Sequence, residues 1–301
     1  MTAPEVLDLH RSLSNWGRWG DDDERGTLNL VTPELVHEAL AAVTGAASVS
    51  CSRVLRAGPG TVPGGEFLHF MLRTGDQAPE EGGWTARDWI GVGCHGFDHT
   101  HLDSHSHVIW DRSLYNGRPA SAVTVDGAAA GGVEPAFDGL VSRGVLLDLP
   151  PVRGTAWVAQ DEPVTPADLD EAERRAGTTV APGTFLWLRL GRGEMDAAGH
   201  VVGQAWSPGL HPSCLPWLAE RGVALLGTDV TADVFPTPWS VPPPVHLVGI
   251  HAMGLWLVDN ADLERLAREC AARHRYEFAS VVSPLALDRA TGSLVNPLAL
   301  F

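Results

Sequence analysis

The chain predicts a mixed α/β fold, and three observations lead there. Short apolar runs that do not alternate, Val145-Leu146-Leu147-Asp148-Leu149, Thr184 to Leu190 and Val223 to Gly227, read as strands buried on both faces. Helix signals stand between them, with Thr165-Pro166-Ala167-Asp168 in the form of a capping box whose last position is aspartate instead of glutamate. The 33 glycines and 22 prolines are spread along all 301 residues, so many turns and ordered loops are expected and no interdomain linker stands out.

The elements follow in chain order. Trp16 to Gly26 reads as a turn-rich ordered loop, and Thr32-Pro33 supplies a cap and a first-turn proline for a short helix. Ser48 to Arg56 and Phe67 to Thr74 have modest strand patterning, and Tyr115-Asn116-Gly117 is a turn. The run from Val145 suits a central strand stopped by Pro150-Pro151. The capping box opens a helix running to about Gly177, and a second helix, from about Pro212 to Arg221, ends at Gly222. Gly254 to Val258 is a further strand, after which Asn260 is expected to cap a helix with Leu263, Leu266, Ala267, Cys270 and Ala271 on one face. Asp259 then sits at the carboxyl end of a strand, where α/β proteins bind ligands. It could equally support the amino terminus of the following helix by its charge.

Composition removes several classes of function. Acidic residues number 37 against 21 basic ones, a formal charge of −16, and every base is arginine. Without lysine there is no Schiff-base chemistry and no phosphate-binding G-x-x-x-x-G-K-[ST] loop. The acidic balance argues against nucleic acid and anionic membranes, whose phosphates need neutralising. Neither a G-x-S-x-G elbow nor an H-E-x-x-H helix is present. Cys51, Cys94, Cys214 and Cys270 form no C-x-x-C pair. The amino terminus lacks the features of a secretory signal and no stretch has the length of a membrane span. A cytoplasmic protein with reduced thiols is expected.

The stretch richest in chemistry is His99 to His107. As one strand it would place His99, His101, Asp103, His105 and His107 on a single face, with His95 a further even step upstream. Imidazoles beside a carboxylate suit a borderline divalent ion such as zinc, manganese, iron or nickel. A solvated histidine-rich loop is the alternative. Apolar and aromatic neighbours, Trp89-Ile90-Gly91-Val92 and Val108-Ile109-Trp110, favour burial and hence a metal site.

Thr100-His101-Leu102-Asp103 followed by His107 resembles the signature of the cyclase family, H-x-G-T-H-x-D-x-P-x-H. These are metal-dependent hydrolases that include bacterial kynurenine formamidases and isatin hydrolases. Asn15 to Gly20, Asp23 to Asn29, Tyr115-Asn116-Gly117, Ser207 to His211, Gly227-Thr228-Asp229, Val245-His246, Ala252-Met253-Gly254 and Asp259-Asn260 extend the likeness from about residue 15 to 270. The resemblance implies that His101 and Asp103 ligate metal, that His107 transfers protons, and that His246 and Asp259 complete the site. Two positions depart from the pattern. The first histidine falls at Phe97, so either His95 or His99 stands in for it, and the proline position is His105. One divalent ion, manganese or zinc, is therefore expected in place of two.

The resemblance also implies a single domain over residues 1–301 of the swivelling β/β/α type, with 1–45 as an amino-terminal loop and helix extension, assembled as a homo-oligomer. The reaction it implies is hydrolysis of an amide, lactam, ester or lactone in a small-molecule substrate, without nucleic acid or membrane partners. A biosynthetic cyclase or dehydratase using the same metal is the alternative, and a catalytically inactive binding relative is a third. His211 is a candidate for orienting substrate or for capping the helix after Pro212. The 11 tryptophans, among them Trp84, Trp89, Trp110, Trp206 and Trp239, point to an aromatic pocket or simply to core and interface packing.

Overall fold

The computed structural model describes residues 1–60, 65–239 and 242–301. Among the described residues, nine strands form one mixed sheet. In chain order all strands are β1 (Ser48–Ser50), β2 (Phe67–Arg73), β3 (Arg87–Val92), β4 (His101–Asp103), β5 (Val123–Thr124), β6 (Gly127–Ala128), β7 (Leu140–Asp148), β8 (Phe185–Arg189), β9 (Leu225–Thr228), β10 (Trp256–Asp259), β11 (Glu277–Val282), β12 (Gly292–Leu294) and β13 (Leu298–Leu300). The large sheet has the order β1-β13-β11-β7-β8-β9-β10-β4-β12. Strands β7 to β10 run parallel at its centre, and the outer pairings are antiparallel. The mixed α/β prediction holds.

Both faces of the central strands are buried, which is why their sequences read as unbroken apolar runs. Val145, Leu147, Leu186 and Leu188 face one hydrophobic cluster, and Leu146, Phe185, Trp187 and Leu225 face the other. Helices α1 (Ala3–Ser12), α2 (Pro33–Ala41), α3 (Leu149–Arg153), α4 (Pro166–Ala176), α5 (Arg192–Ala197), α6 (Cys214–Glu220) and α7 (Glu264–Arg273) cover these faces. A nine-residue helix of the wide π type, Val245–Met253, joins them and is almost wholly buried. Thr32 caps α2 by accepting from Leu35 N–H, and Thr165 and Asp168 form the capping box of α4, which ends at Gly177 in the left-handed conformation. No helix among the described residues is long and apolar enough to cross a membrane, and all four cysteines are free thiols.

Four expectations change. The strand expected over Ser48 to Arg56 ends at Ser50, because Cys51 N–H pairs with the Pro297 carbonyl and a proline cannot extend the ladder. Pro150 and Pro151 do not only stop β7; they occupy the first turn of α3, where a missing N–H costs nothing. Asn260 does not cap a helix. It adopts a positive φ of 55°, and α7 begins four residues later at Glu264 with Leu263 as its cap, while Ala271 is exposed. Helix α1 was not anticipated, although Thr2 and Glu5 form a capping box around Pro4.

Candidate metal centre

The histidine-rich stretch is not one strand. Only His101–Asp103 is extended; Ser104 N–H and Oγ–H both donate to the carbonyl of Thr291, the residue before β12, and the chain turns into a short 3-10 segment over His105–His107. Alternation therefore fails beyond Asp103. His105 points away from the site, packed against Tyr115 and Trp256, with Nε2–H donating to the Gly254 carbonyl. Gly254 closes the π helix with φ of 66°, and it approaches Gly26 so closely that a Cβ there would lie 2.1 Å from the Gly254 oxygen. His99 is buried and donates Nε2–H to the Gly65 carbonyl. Neither residue joins the cluster.

What remains is compact. Antiparallel register sets His101 directly opposite Asp259, and Asp103 lies two residues along the same face. The His101 and Asp103 side chains, Asp259 and a nitrogen of His246 converge: His246 Nε2 lies 3.5 Å from Asp103 Oδ2 and 3.3 Å from Asp259 Oδ2, and His101 Nε2 lies 3.5 Å from Asp103 Oδ1. His95 Nδ1–H donates to Asp103 Oδ1 at 2.8 Å, and its ring stacks on His107 with centroids 4.0 Å apart. Of the two histidines flanking Phe97, His95 is brought to the cluster and His99 is not. Two overlapping groups have donor atoms mutually close enough for one ion: His101, Asp103 and Asp259, and His95, Asp103 and His107.

Each inner nitrogen is aimed by a bond on the far side of its ring. His101 Nδ1–H donates to the His99 carbonyl at 2.7 Å, leaving Nε2 as a lone-pair donor. His246 Nδ1–H donates to Asp233 Oδ2 at 2.7 Å, and the same carboxylate accepts the His246 and Val245 backbone N–H groups. Asp233 escaped the reading of the sequence, since nothing in Thr231-Ala232-Asp233 marks its place under the π helix. Such outer partners fix the tautomer and raise ligand basicity. Two buried carboxylate oxygens, Asp103 Oδ2 and Asp259 Oδ1, have no hydrogen-bond partner. Buried acceptors left unpaired cost free energy, and a divalent cation satisfies both. The donor set fits.

Electrostatics agree with close coupling. Burial works against ionisation of Asp103, yet the imidazoles around it, His107 and His101 first and then His246 and His95, hold its carboxyl well below the usual range. Burial also opposes charge on His246, but Asp259, Asp103 and Asp233 raise it well above its ordinary value. Burial likewise opposes charge on His95, which Asp103 nevertheless pushes up to about 10. His107 goes the other way: burial lowers it to about 4, assisted by the neighbouring imidazoles, so it is neutral at pH 7.

The cluster opens into a cavity of about 500 Å³, within the range of small-molecule sites. Phe97 and Phe235, edge to face at 5.2 Å, line it with Val108, Ile109 and Leu247, and Gln204 and Thr231 add polar groups. Aromatic lining is present, but no tryptophan contributes. Trp84 and Trp89 lie on the β2–β3 hairpin region, Trp110 faces a separate groove, Trp206 stacks on His200, and Trp239 lies edge-on to His211. His211 does not reach the cavity either; its Nδ1 bonds Ser213 Oγ and N–H at the start of α6, the capping place.

The profile of the Cyclase family, described as "Putative cyclase", matches residues 78–233. A crystal structure of a novel cyclase superposes with a TM-score of 0.87 at 29% identity, over 97% of this chain and 99% of that one. Isatin hydrolase A from Ralstonia solanacearum superposes with a TM-score of 0.58 at 20% identity, over 84% and 91%. A potential metal-dependent hydrolase with cyclase activity gives 0.54 at 14% identity, over 85% and 98%. The last two share the fold. No curated protein matches the chain in sequence.

Proposed function

This chain belongs to the cyclase family, and from that premise we propose that it is a metal-dependent hydrolase opening an amide, lactam, ester or lactone bond of a small aromatic carbonyl compound. The observation that carries the reading is the pair of buried, unpartnered carboxylate oxygens on Asp103 and Asp259, beside the aimed Nε2 atoms of His101 and His246. Those four residues would hold one divalent ion, and mixed nitrogen and oxygen donors suit manganese or zinc. Such an ion supplies Lewis-acid activation of water and of a carbonyl.

The protein supplies the rest. His107 lines the cavity as a neutral imidazole, so Nδ1 or Nε2 is free to accept a proton from the attacking water and return it to the leaving nitrogen or oxygen. Phe97 and Phe235 offer perpendicular ring faces that grip a planar substrate, and Gln204 and Thr231 supply its polar contacts. A two-ion arrangement is the second reading, favoured by the convergence of His95 and His107 on the same Asp103; His107 would then be a ligand.

We also propose a homo-oligomer built on the β2–β3 hairpin. The two strands form a sheet of their own, with one further bridge from Phe67 to Gly58 among the described residues, and Leu68, Phe70, Met71, Leu72, Trp89 and Ile90 are all exposed, Leu72 at 61%. An isolated two-stranded hairpin is marginal in water, and an apolar patch of this kind marks an interaction face. The hairpin leads straight into the His95 segment. Two copies pairing about a twofold axis would cover the same apolar face on both.

Elemental analysis of untagged wild type beside His101→Ala and Asp103→Ala, with a screen of formamides, lactams and lactones, tests the enzymatic reading. One equivalent of metal lost in both variants, with turnover lost alongside, is expected. Two equivalents, falling to one in His95→Ala, would establish the second reading. Protein that takes up neither manganese nor zinc would overturn both.

A further inference from the structure

A second cleft, of about 300 Å³, opens between the segment after β1, the start of α5 and the start of α7. In a chain of charge −16 it gathers Arg53, Arg56, Arg192, Arg265 and Arg268. Four acids share the lining; one oxygen of Asp262 accepts the Glu264 N–H at 3.2 Å, and the other three are committed. Asp196 takes Arg53 at 2.7 Å and Arg192 at 2.8 Å, and Glu264 is clamped by Arg189 at 2.8 Å. Both oxygens of Asp229 accept backbone N–H groups of Leu190, Gly191 and Arg192. Among the described residues no acid pairs with Arg56, Arg265 or Arg268; Arg265 reaches only the Ser48 carbonyl, at 3.5 Å.

Arg192 is the informative member. It is 5% exposed, its Nε–H donates to Asp196, and both terminal nitrogens reach the same Phe97 carbonyl at 3.4 Å. A guanidinium carries five N–H donors, so this one is buried with donors to spare and with the like charge of Arg53 beside it. Burial and Arg53 both work against its charge. Asp196 is one carboxylate shared by the guanidiniums of Arg53 and Arg192, and a doubly charged oxyanion is the group that balances the remaining charge, since forked guanidinium donors match its oxygens.

We propose that this cleft binds a phosphate dianion, either free or as the monoester of a small metabolite. The site touches the metal centre through the backbone: Arg192 holds the Phe97 carbonyl, Arg53 N–H donates to Thr100 Oγ1 at 2.9 Å, and Thr100 Oγ1–H donates to the Asn260 carbonyl. An anion drawing in Arg53 and Arg192 therefore tightens the segment from Phe97 to Thr100, next to His101.

Titration calorimetry and thermal melting with inorganic phosphate, with ribose 5-phosphate in a parallel arm and chloride at matched ionic strength as control, test this. Wild type should bind one equivalent and melt at a higher temperature. Arg56→Gln/Arg268→Gln, whose side chains are exposed, should melt like wild type without phosphate and bind at least tenfold more weakly. Tighter binding of the ester assigns the monoester and tighter binding of inorganic phosphate assigns the free ion. Phosphate held at the metal centre would ignore the double variant but vanish in His101→Ala. That pattern, or the absence of saturable binding, would overturn the proposal while leaving the hydrolase reading untouched.

Discussion

Asp233→Asn isolates the part of the metal centre that works at one remove. The Asp233 carboxylate accepts three hydrogen bonds: Val245 N–H at 2.8 Å, His246 N–H at 3.0 Å and His246 Nδ1–H at 2.7 Å. An amide keeps only one oxygen; at the Oδ2 place it still accepts both His246 bonds, so its NH2 faces the Val245 N–H and the carboxylate charge behind His246 is gone. A bond to a charged acceptor is worth about 1.5–3 kcal/mol against about 0.5–1.5 kcal/mol for a neutral one, so the neutral acceptor on the ring's far nitrogen holds His246 less firmly and lowers its basicity. Losses in metal affinity of roughly 10–100-fold are typical for such partners. The assay is competition for zinc or manganese against a chelator of known affinity, with the melting temperature of the metal-free protein measured alongside. Metal affinity should fall by that factor while the metal-free variant still unfolds cooperatively. Wild-type affinity in Asp233→Asn, with affinity lost in Asp103→Ala, would refute the idea that Asp233 aims His246.

His107→Ala is expected to cost on the order of 10²–10⁴ in kcat, the usual contribution of a positioned proton carrier, while His211→Ala, away from the cavity, should change kcat by less than about threefold; steady-state kinetics on one substrate separates them. In metal-free protein the folded-state value of His95 is raised to about 10 from an unfolded value of about 6.5. Its stabilisation is therefore complete below about pH 6.5 and lost as pH climbs towards 10. Melting curves from pH 6 to 10 should fall more steeply for wild type than for His95→Gln, and parallel curves would count against the His95–Asp103 pair. Phe70→Asp/Ile90→Asp should convert the oligomer to monomer in sedimentation, and a wild type that sediments as a monomer would refute the hairpin interface.

Much of the site was legible because its residues lie in a local pattern. His101 and Asp103 are two apart on a strand, and period-two alternation alone puts them on one face. Asp259 was placed by the apolar run of β10, whose carboxyl end is where such sheets bind ligands, though its rival role at the helix start fell only when Asn260 took a left-handed turn and delayed α7. The family pattern supplied His246, which no periodicity in Val245–Met253 would have distinguished from a core histidine. The same pattern failed at Phe97, where the family histidine is replaced by a ring that lines the cavity.

By itself, then, the sequence determined the α/β class, the buried central strands, the caps of α2 and α4, and the shared face of His101 and Asp103. All of these rest on interactions within a few residues, through strand alternation, turn chemistry and capping. Only tertiary structure decided that His95 enters the cluster while His99 and His105 leave it, that Asp233 holds His246, and that five arginines crowd one cleft. Some of those outcomes depend on distant partners, such as Thr291 ending the strand at Asp103 or Gly65 taking His99, and others on chain reversals that bring His95 to Asp103 and Asp233 to His246; contacts of neither kind leave a period in the chain.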